Sequence, residues 1–289
     1  MKMLPIQEIS TKAPPIKIQG IKTKIVPIIA SKTNWKDNGY FIEPFAGSCV
    51  VSLNLKPKKA ILSDSNSHII DLYKNIQTKK IDSNSVRLFL ESEGKKLSSS
   101  GGEYYYEVRE RFNKDFDSLD FLFLNRSCFN GMIRFNSKGK FNVPFCKKPE
   151  RFSKSLITKI VNQVDWAGNI IRKNNWTFLN EDYKNVISSA NKNDLIYCDP
   201  PYVGRHTDYY NNFSDEESDT LAKVLLDTNS YFILSNWHKN RYRTNEFIYK
   251  HFKDLHWESI NHFYYVGSTE SLRNSMEEVL IYSSKDIIN

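Results

Sequence analysis

Leu195-Ile196-Tyr197-Cys198-Asp199-Pro200-Pro201-Tyr202 decides how this chain is read. Its first four residues form an uninterrupted apolar run, the pattern of a short strand buried on both faces. Two prolines then stop it. Proline has no backbone donor and biases its predecessor toward extended geometry, so the chain leaves the sheet edge as a stiff loop with Asp199 at its mouth. In an open α/β sheet that edge is where ligands sit. The Asp199 carboxylate can accept a hydrogen bond from an exocyclic amine and the Pro200 carbonyl a second, while Tyr202 can stack on a flat ring. Asp199, Pro200, Pro201 and Tyr202 thus read as a clamp for a heteroaromatic amino group. Taken alone, the tetrapeptide equally allows a solvated aspartate before a rigid turn.

Upstream, residues 40–45 read as a strand containing Glu43, Pro44 and Phe45. Ala46 and Gly47 make a small-residue turn into a helix over 49–55, an arrangement that lets backbone amides approach a ligand. A second strand, 60–63, ends in Asp64 with Asn66 just beyond. At that spacing an acid accepts from ribose hydroxyls, and capping a helix over 67–76 is the alternative. Before these lies a basic arm, Lys17-Ile18-Gln19-Gly20-Ile21-Lys22. Downstream, a strand at 176–179 precedes Asp182 and a helix to 190. Further helices are expected over 214–226 and 242–250, and further strands over 231–234, 263–266 and 278–282. Gly204, Arg205, His206, Tyr209 and Tyr210 form a polar loop, and His206, His238 and His262 read as surface or hydrogen-bonding groups.

The middle of the chain has a different texture. Helices are expected over 81–96, 103–113 and 119–128, followed by two strand-like runs, 132–136 and 140–144, around Ser137-Lys138-Gly139. This β-hairpin carries Arg134, Lys138 and Lys140, a basic ribbon suited to a nucleic-acid groove. The run from Lys147 to Arg151 extends its charge. Lys and Arg outnumber Asp and Glu by 41 to 33 in 289 residues, a net charge of +8 that favours a polyanionic partner. The four cysteines show no CxxC and no neighbouring histidines, so neither a zinc site nor a disulfide framework is expected, and a reducing cytoplasm fits. No apolar stretch approaches the roughly 20 residues that span a bilayer.

Together the basic arm, Glu43-Pro44-Phe45-Ala46-Gly47, Asp64-Ser65-Asn66, the hairpin 125–145 and Asp199-Pro200-Pro201-Tyr202 resemble the Dam-type (D12 class) DNA adenine N6-methyltransferases over nearly the whole chain. Within that family the similarity over 102–148 is greatest to the EcoRV-type modification enzymes. The resemblance implies a Rossmann-like sheet that binds S-adenosylmethionine, built from 1–76 and 175–289, with a mainly helical, hairpin-bearing target-recognition insertion at 77–174. It implies cofactor contacts from Lys17, Ile18, Lys22, Glu43, Pro44, Phe45, Ala46, Gly47, Asp64, Asn66, Asp182 and Asp199, with Lys22 on the methionine carboxylate, Asp64 on the ribose and Asp182 on the adenine. It implies DNA contacts from Lys17, Arg126, Phe129, Asn130, Met132, Arg134, Asn136, Lys138, Lys140 and Lys147. Two positions depart from the family pattern: Ile18 stands where tryptophan is common, and Cys49 replaces a second glycine. The implied activity is methylation of a flipped adenine in duplex DNA, the first adenine of GATATC, with GATC as the second choice. A monomer is expected, sharing its site with a restriction endonuclease without binding it. An RNA base methyltransferase uses a similar clamp but has no need of the insertion between Asp64 and Asp199, and a non-catalytic DNA-binding module has no need of the clamp.

Overall fold

The computed structural model describes residues 10–33, 35–202, 213–239, 244–263 and 275–284. Seven strands join in one sheet: β1 (Phe41–Glu43), β2 (Lys59–Ser63), β3 (Asn175–Leu179), β4 (Leu195–Cys198), β5 (Tyr231–Lys239), β6 (His256–Phe263) and β7 (Ser275–Tyr282). Their order is β3-β2-β1-β4-β5-β7-β6. The first five are parallel, while β7 runs antiparallel to both β5 and β6. Parallel strands need crossovers, and helices between successive strands supply them: α2 (Val50–Leu55), α3 (Ser67–Gln77), α8 (Tyr183–Ser188), α9 (Asp215–Asp227) and α10 (Glu246–Phe252), while α1 (Val26–Lys32) precedes β1.

The apolar runs are explained by burial on both faces. Phe41, Leu195, Tyr197 and Ile233 pack with Val26, Ile29, Val50 and Val51 of α1 and α2. Their neighbours Ile42, Ile196, Cys198, Phe232 and Leu234 point the other way, into a core with α8, α9 and α10. With a side-chain period of two, no polar position remains in such a strand.

Between α3 and β3 the chain forms α4 (Ser83–Ser99), α5 (Tyr104–Asp115), α6 (Ser118–Ser127) and α7 (Lys154–Lys173). Asp82 and Ser85 make a reciprocal capping box that starts α4, and Asp117 caps α6. These helices share one continuous core with Leu62 of β2, Ile69 and Tyr73 of α3, and Trp176 of β3. Helix α7, 20 residues long, is absent from the sequence reading. Its apolar stripe of Ile157, Ile160, Val161, Val164 and Ile171 has ordinary helical spacing and is buried against α4 and α3.

The β-hairpin expectation is corrected. Only isolated bridges join its arms, Phe135 with Phe141 and Cys128 with Phe145. Asn136 closes the turn with its side chain, accepting from the backbone amides of Lys138 (2.9 Å) and Lys140 (3.1 Å). Ile133, Phe141, Val143 and Phe145 turn into the core, so the segment is a loop anchored by aromatics rather than a free ribbon. The strand expected at 263–266 lies mostly beyond the described residues; β6 precedes it at His256–Phe263. The polar loop with Gly204, Arg205, His206, Tyr209 and Tyr210 also lies outside them.

Candidate active site

Strand order reverses between β1 and β4, and the loops leaving these two strands diverge there, the position where open α/β sheets bind ligands. The register aligns Ile42 with Ile196, so Glu43 at the end of β1 and Asp199 after β4 emerge side by side. Beside them, β2 delivers Asp64 and β3 leads to Asp182.

At Asp199 the structure concentrates charge in a desolvated place. The Lys22 ammonium lies 2.8 Å from Asp199 Oδ1 and 3.9 Å from Glu278 Oε1, and donates to the Gly20 carbonyl at 2.9 Å. Lys22 is buried and Asp199 retains about a fifth of its exposure, 21%. Burial pushes the Asp199 carboxyl up to about 6; Lys22 opposes that shift and the Glu278 charge adds to it. Tyr202 is buried against Trp237, donates to Glu278 Oε1 at 3.0 Å, and has the Lys22 ammonium 5.0 Å from its ring centre. Lys22 therefore bridges Asp199 and the Tyr202 ring.

Glu43 is fully enclosed. Its Oε1 accepts from the Ser52 amide at 3.1 Å, and Oε2 has no hydrogen-bond partner. Burial pushes its carboxyl up to about 8, so it is protonated at neutral pH. After Pro44, the Ala46 amide bonds to the Ser63 carbonyl at 2.8 Å, tying the turn to β2. Gly47 sits at φ +48 and Cys49 at φ +56, so the turn holds its left-handed geometry with only one glycine. A Cβ on Gly47 would stand 3.3 Å from Ile18 Cδ1, which places the arm residue against the turn. Phe45 stacks on Tyr183, with ring centres 5.1 Å apart.

Asp64 does not cap α3. Its Oδ2 accepts from the Gly47 amide and its Oδ1 from the Asn66 amide, both at 2.8 Å, while Asn66 caps the helix by accepting from His68 at 3.0 Å. Burial raises the Asp64 carboxyl, and these two amide bonds oppose the rise. Each carboxylate oxygen retains a second lone pair for a ligand hydroxyl. Asp182 is exposed and caps α8, accepting from the Lys184 amide at 2.8 Å.

The expected DNA face is only partly a surface. Phe129 is 51% exposed, the neighbouring Asn130 adopts φ +54, and Lys138, Lys140 and Lys147 are exposed. Arg134 is oriented by Asn142, donating from Nε to its Oδ1 at 2.8 Å and from Nη2 to its carbonyl at 3.2 Å. Met132 packs against the core. Arg126 is a correction: its guanidinium is buried and donates from Nη1 to the Pro15 carbonyl (3.1 Å) and Gln163 Oε1 (3.3 Å), so it braces the arm instead of facing a duplex. Lys17 is held by Asn125, which accepts from its amide and donates to its carbonyl, each at 2.8 Å.

Sequence reasoning missed Glu278 and Trp237, the partners of Tyr202. The available signal for Glu278 was an acid directly abutting the apolar run 279–282, because an unpaired carboxylate in a buried strand is costly.

A parallel sheet with this strand order and one antiparallel excursion at its edge is consistent with a Rossmann-like methyltransferase fold, with Asp199 beside the switch point. The model of the D12 class N6 adenine-specific DNA methyltransferases matches residues 19–266, and the chain belongs to that family. It is 27% identical to the type II methyltransferase M.FokI of Planomicrobium okeanokoites over 89% of this chain and 40% of that protein. It is 33% identical to a DNA adenine methylase of Serratia marcescens over 63% of this chain and 67% of the relative. The corresponding enzyme of Escherichia coli (strain K12) is 32% identical over 68% and 70%. The chain thus spans well under half the length of the M.FokI relative and about two thirds of the others. No helix among the described residues is long and apolar enough to cross a membrane.

Proposed function

We propose that this protein transfers the methyl group of S-adenosylmethionine to the exocyclic N6 of an adenine flipped out of duplex DNA. We assign the first adenine of GATATC as its target, in the role of the modification enzyme of a restriction system. Family membership supports the reaction class, and the partly buried Asp199 beside Lys22 and Glu43 is the observation that supports placing the reaction at the end of β4.

The residues present fit the donor. Gly47 lines a turn where even a methyl group would crowd Ile18, and Glu43 Oε2 is a buried oxygen without a partner. Phe45 and Tyr183 form an aromatic wall at the end of β1, and Asp64 offers lone pairs beyond its two amide bonds. When bound, the donor supplies an electrophilic methyl on a sulfonium centre. An adenine amino nitrogen is conjugated into its ring and is a poor nucleophile until its lone pair localises. Asp199 and the Pro200 carbonyl, accepting the two amino hydrogens, favour that form, and the rest of the work is alignment and electrostatics.

Lys22 must move in this scheme. Paired with Asp199 and lying near the Tyr202 ring, it occupies the clamp. Lys22 would hold the carboxylate of a bound donor, and turned toward it would leave Asp199 free to accept the amine and the Tyr202 ring open to the base. The amino group is out of reach inside a duplex, so the adenine leaves the stack, which costs a few kcal/mol. The exposed Lys138, Lys140 and Lys147 offset that cost through phosphate contacts, and Arg134 reads a guanine.

Sequencing of modified bases in DNA from cells expressing the chain tests the proposal. N6-methyladenine at the first adenine of GATATC is expected. Modification confined to GATC would replace the site assignment, and modified ribosomal RNA with unmodified DNA would overturn the substrate class.

A further inference from the structure

Hydrogen bonds tie the N-terminal arm, α6 and the turn at Pro149–Phe152 together around Lys17, Arg126 and Arg151, and the charge of Lys159 on α7 bears on Lys17. Arg126 is the buried one. Arg151 donates from Nε to the Arg126 carbonyl at 2.8 Å, which fixes its guanidinium, and its terminal nitrogens have no hydrogen-bond or ion-pair partner among the described residues. Lys17 lies along Gly131, where an added Cβ would come within 2.7 Å of its Cβ and Cδ. Lys159 is exposed on the first turns of α7. Burial, with Arg151, Arg126 and Lys159 adding repulsion, lowers the Lys17 ammonium to about 8. No carboxylate is among the principal charges acting on Lys17 or Arg126. By contrast, Arg111 of α5 pairs with Glu93 and Asp120, and Lys96 of α4 with Glu93. An unmatched, partly desolvated cluster destabilises the fold unless an anion joins it.

We propose that Arg151 and Lys159, together with Lys17, form a seat for one backbone phosphate of the bound duplex. The inference rests on the reading of the protein as a DNA-modifying enzyme. Ile18, the residue after Lys17, touches the Gly47 turn, and Lys22 lies four residues further along at Asp199. A phosphate seated at Lys17 therefore fixes how far the duplex lies from the clamp, whatever its base sequence.

Equilibrium binding of the full chain to a duplex, followed by fluorescence anisotropy across a salt series, tests the seat. Each phosphate neutralised contributes about 0.9 to the slope of log K against log salt. Lys159→Ala and Arg151→Gln are each expected to flatten the slope by up to that amount, and the double variant by no more than that, because both serve one phosphate. The loss is expected to be equal on duplexes with and without GATATC. In a scan of single neutral methylphosphonates, one position is expected to weaken the wild type and leave the double variant unaffected. Lys159→Ala removes only an exposed side chain, so its result stands even if Arg151→Gln fails to fold. An unchanged slope in Lys159→Ala, or no methylphosphonate position that loses its effect in the double variant, would overturn the seat while leaving the proposed function standing. A wild-type protein that binds no duplex would overturn both.

Discussion

Lys22→Met tests the electrostatics of the clamp directly. In the wild type, Asp199 titrates at about 6 because burial lifts it and Lys22, 2.8 Å away, restrains the rise. Removing the cation leaves the Asp199 and Glu278 charges opposed, and an opposite charge at this range is worth about 1–3 pKa units, or roughly 1.4–4 kcal/mol. In the proposed mechanism the reactive form is the carboxylate, so activity is expected to be lost as pH falls through the Asp199 pKa. The acid limb of kcat/KM, which reports groups of the free protein, is expected near pH 6 in the wild type. In the variant it moves to between about 7 and about 9. At pH 7 the ionised share of Asp199 then drops from about nine-tenths to between a half and a hundredth. Any loss from weaker donor binding is independent of pH and lowers the whole curve without displacing it. The assay is methyl transfer to a duplex with the donor varied, from pH 5 to 9.5. A limb that stays near 6 would refute the argument that Lys22 sets the ionisation of Asp199.

Glu43→Gln is expected to stabilise the fold increasingly as pH rises. The buried acid holds its proton up to about 8, against an ordinary value of 4.5, so the wild type loses stability as pH climbs between those values and the glutamine does not. Thermal unfolding at pH 5 and pH 8.5 checks this, and equal shifts at both would contradict it. Gly47→Ala places a side chain at φ +48 and 3.3 Å from Ile18 Cδ1. It is expected to cost about 1–2 kcal/mol of stability and to weaken donor binding, by unfolding and calorimetry respectively. Arg134→Ala is expected to lose about 1–3 kcal/mol of discrimination at a single guanine. Rates on duplexes substituted one base pair at a time would show equal losses everywhere if Arg134 only holds the DNA.

The elements nearest Asp199 were legible because each is local. The strand 195–198 announces itself by composition, the Gly47 turn by small residues, and Asp64 by its place after a second apolar run. What was not legible depends on contacts far apart in sequence. Tyr202 and Glu278 are separated by 76 positions, and Arg126 reaches Pro15 across 111. An arginine is usually exposed, so nothing in its neighbourhood marked Arg126 as buried. The hairpin pattern misled for a different reason. Alternation at Ile133, Phe135, Phe141 and Val143 is real, but the inward aromatics anchor the loop and the Asn136 side chain takes the turn amides, leaving too little pairing for a ladder. Helix α7 was readable from its own spacing, and its basic, proline-containing approach obscured it.

The arm carries a mechanical consequence. Two covalent crossings join the helical segment to the sheet, and they are stitched together where Gln77 donates to the Trp176 carbonyl (2.8 Å) and Arg172 to that of Ile76 (3.0 Å). Taken alone, that pair of crossings could act as a hinge. The arm adds a third strap: Asn54 of α2 grips Lys12 at one end, and Asn125 of α6 grips Lys17 at the other. With the strap latched on both sides, rotation of one part against the other is resisted. Under the proposed function, the protein would then meet DNA as a stiff tool, and the larger deformation on engagement would fall on the duplex.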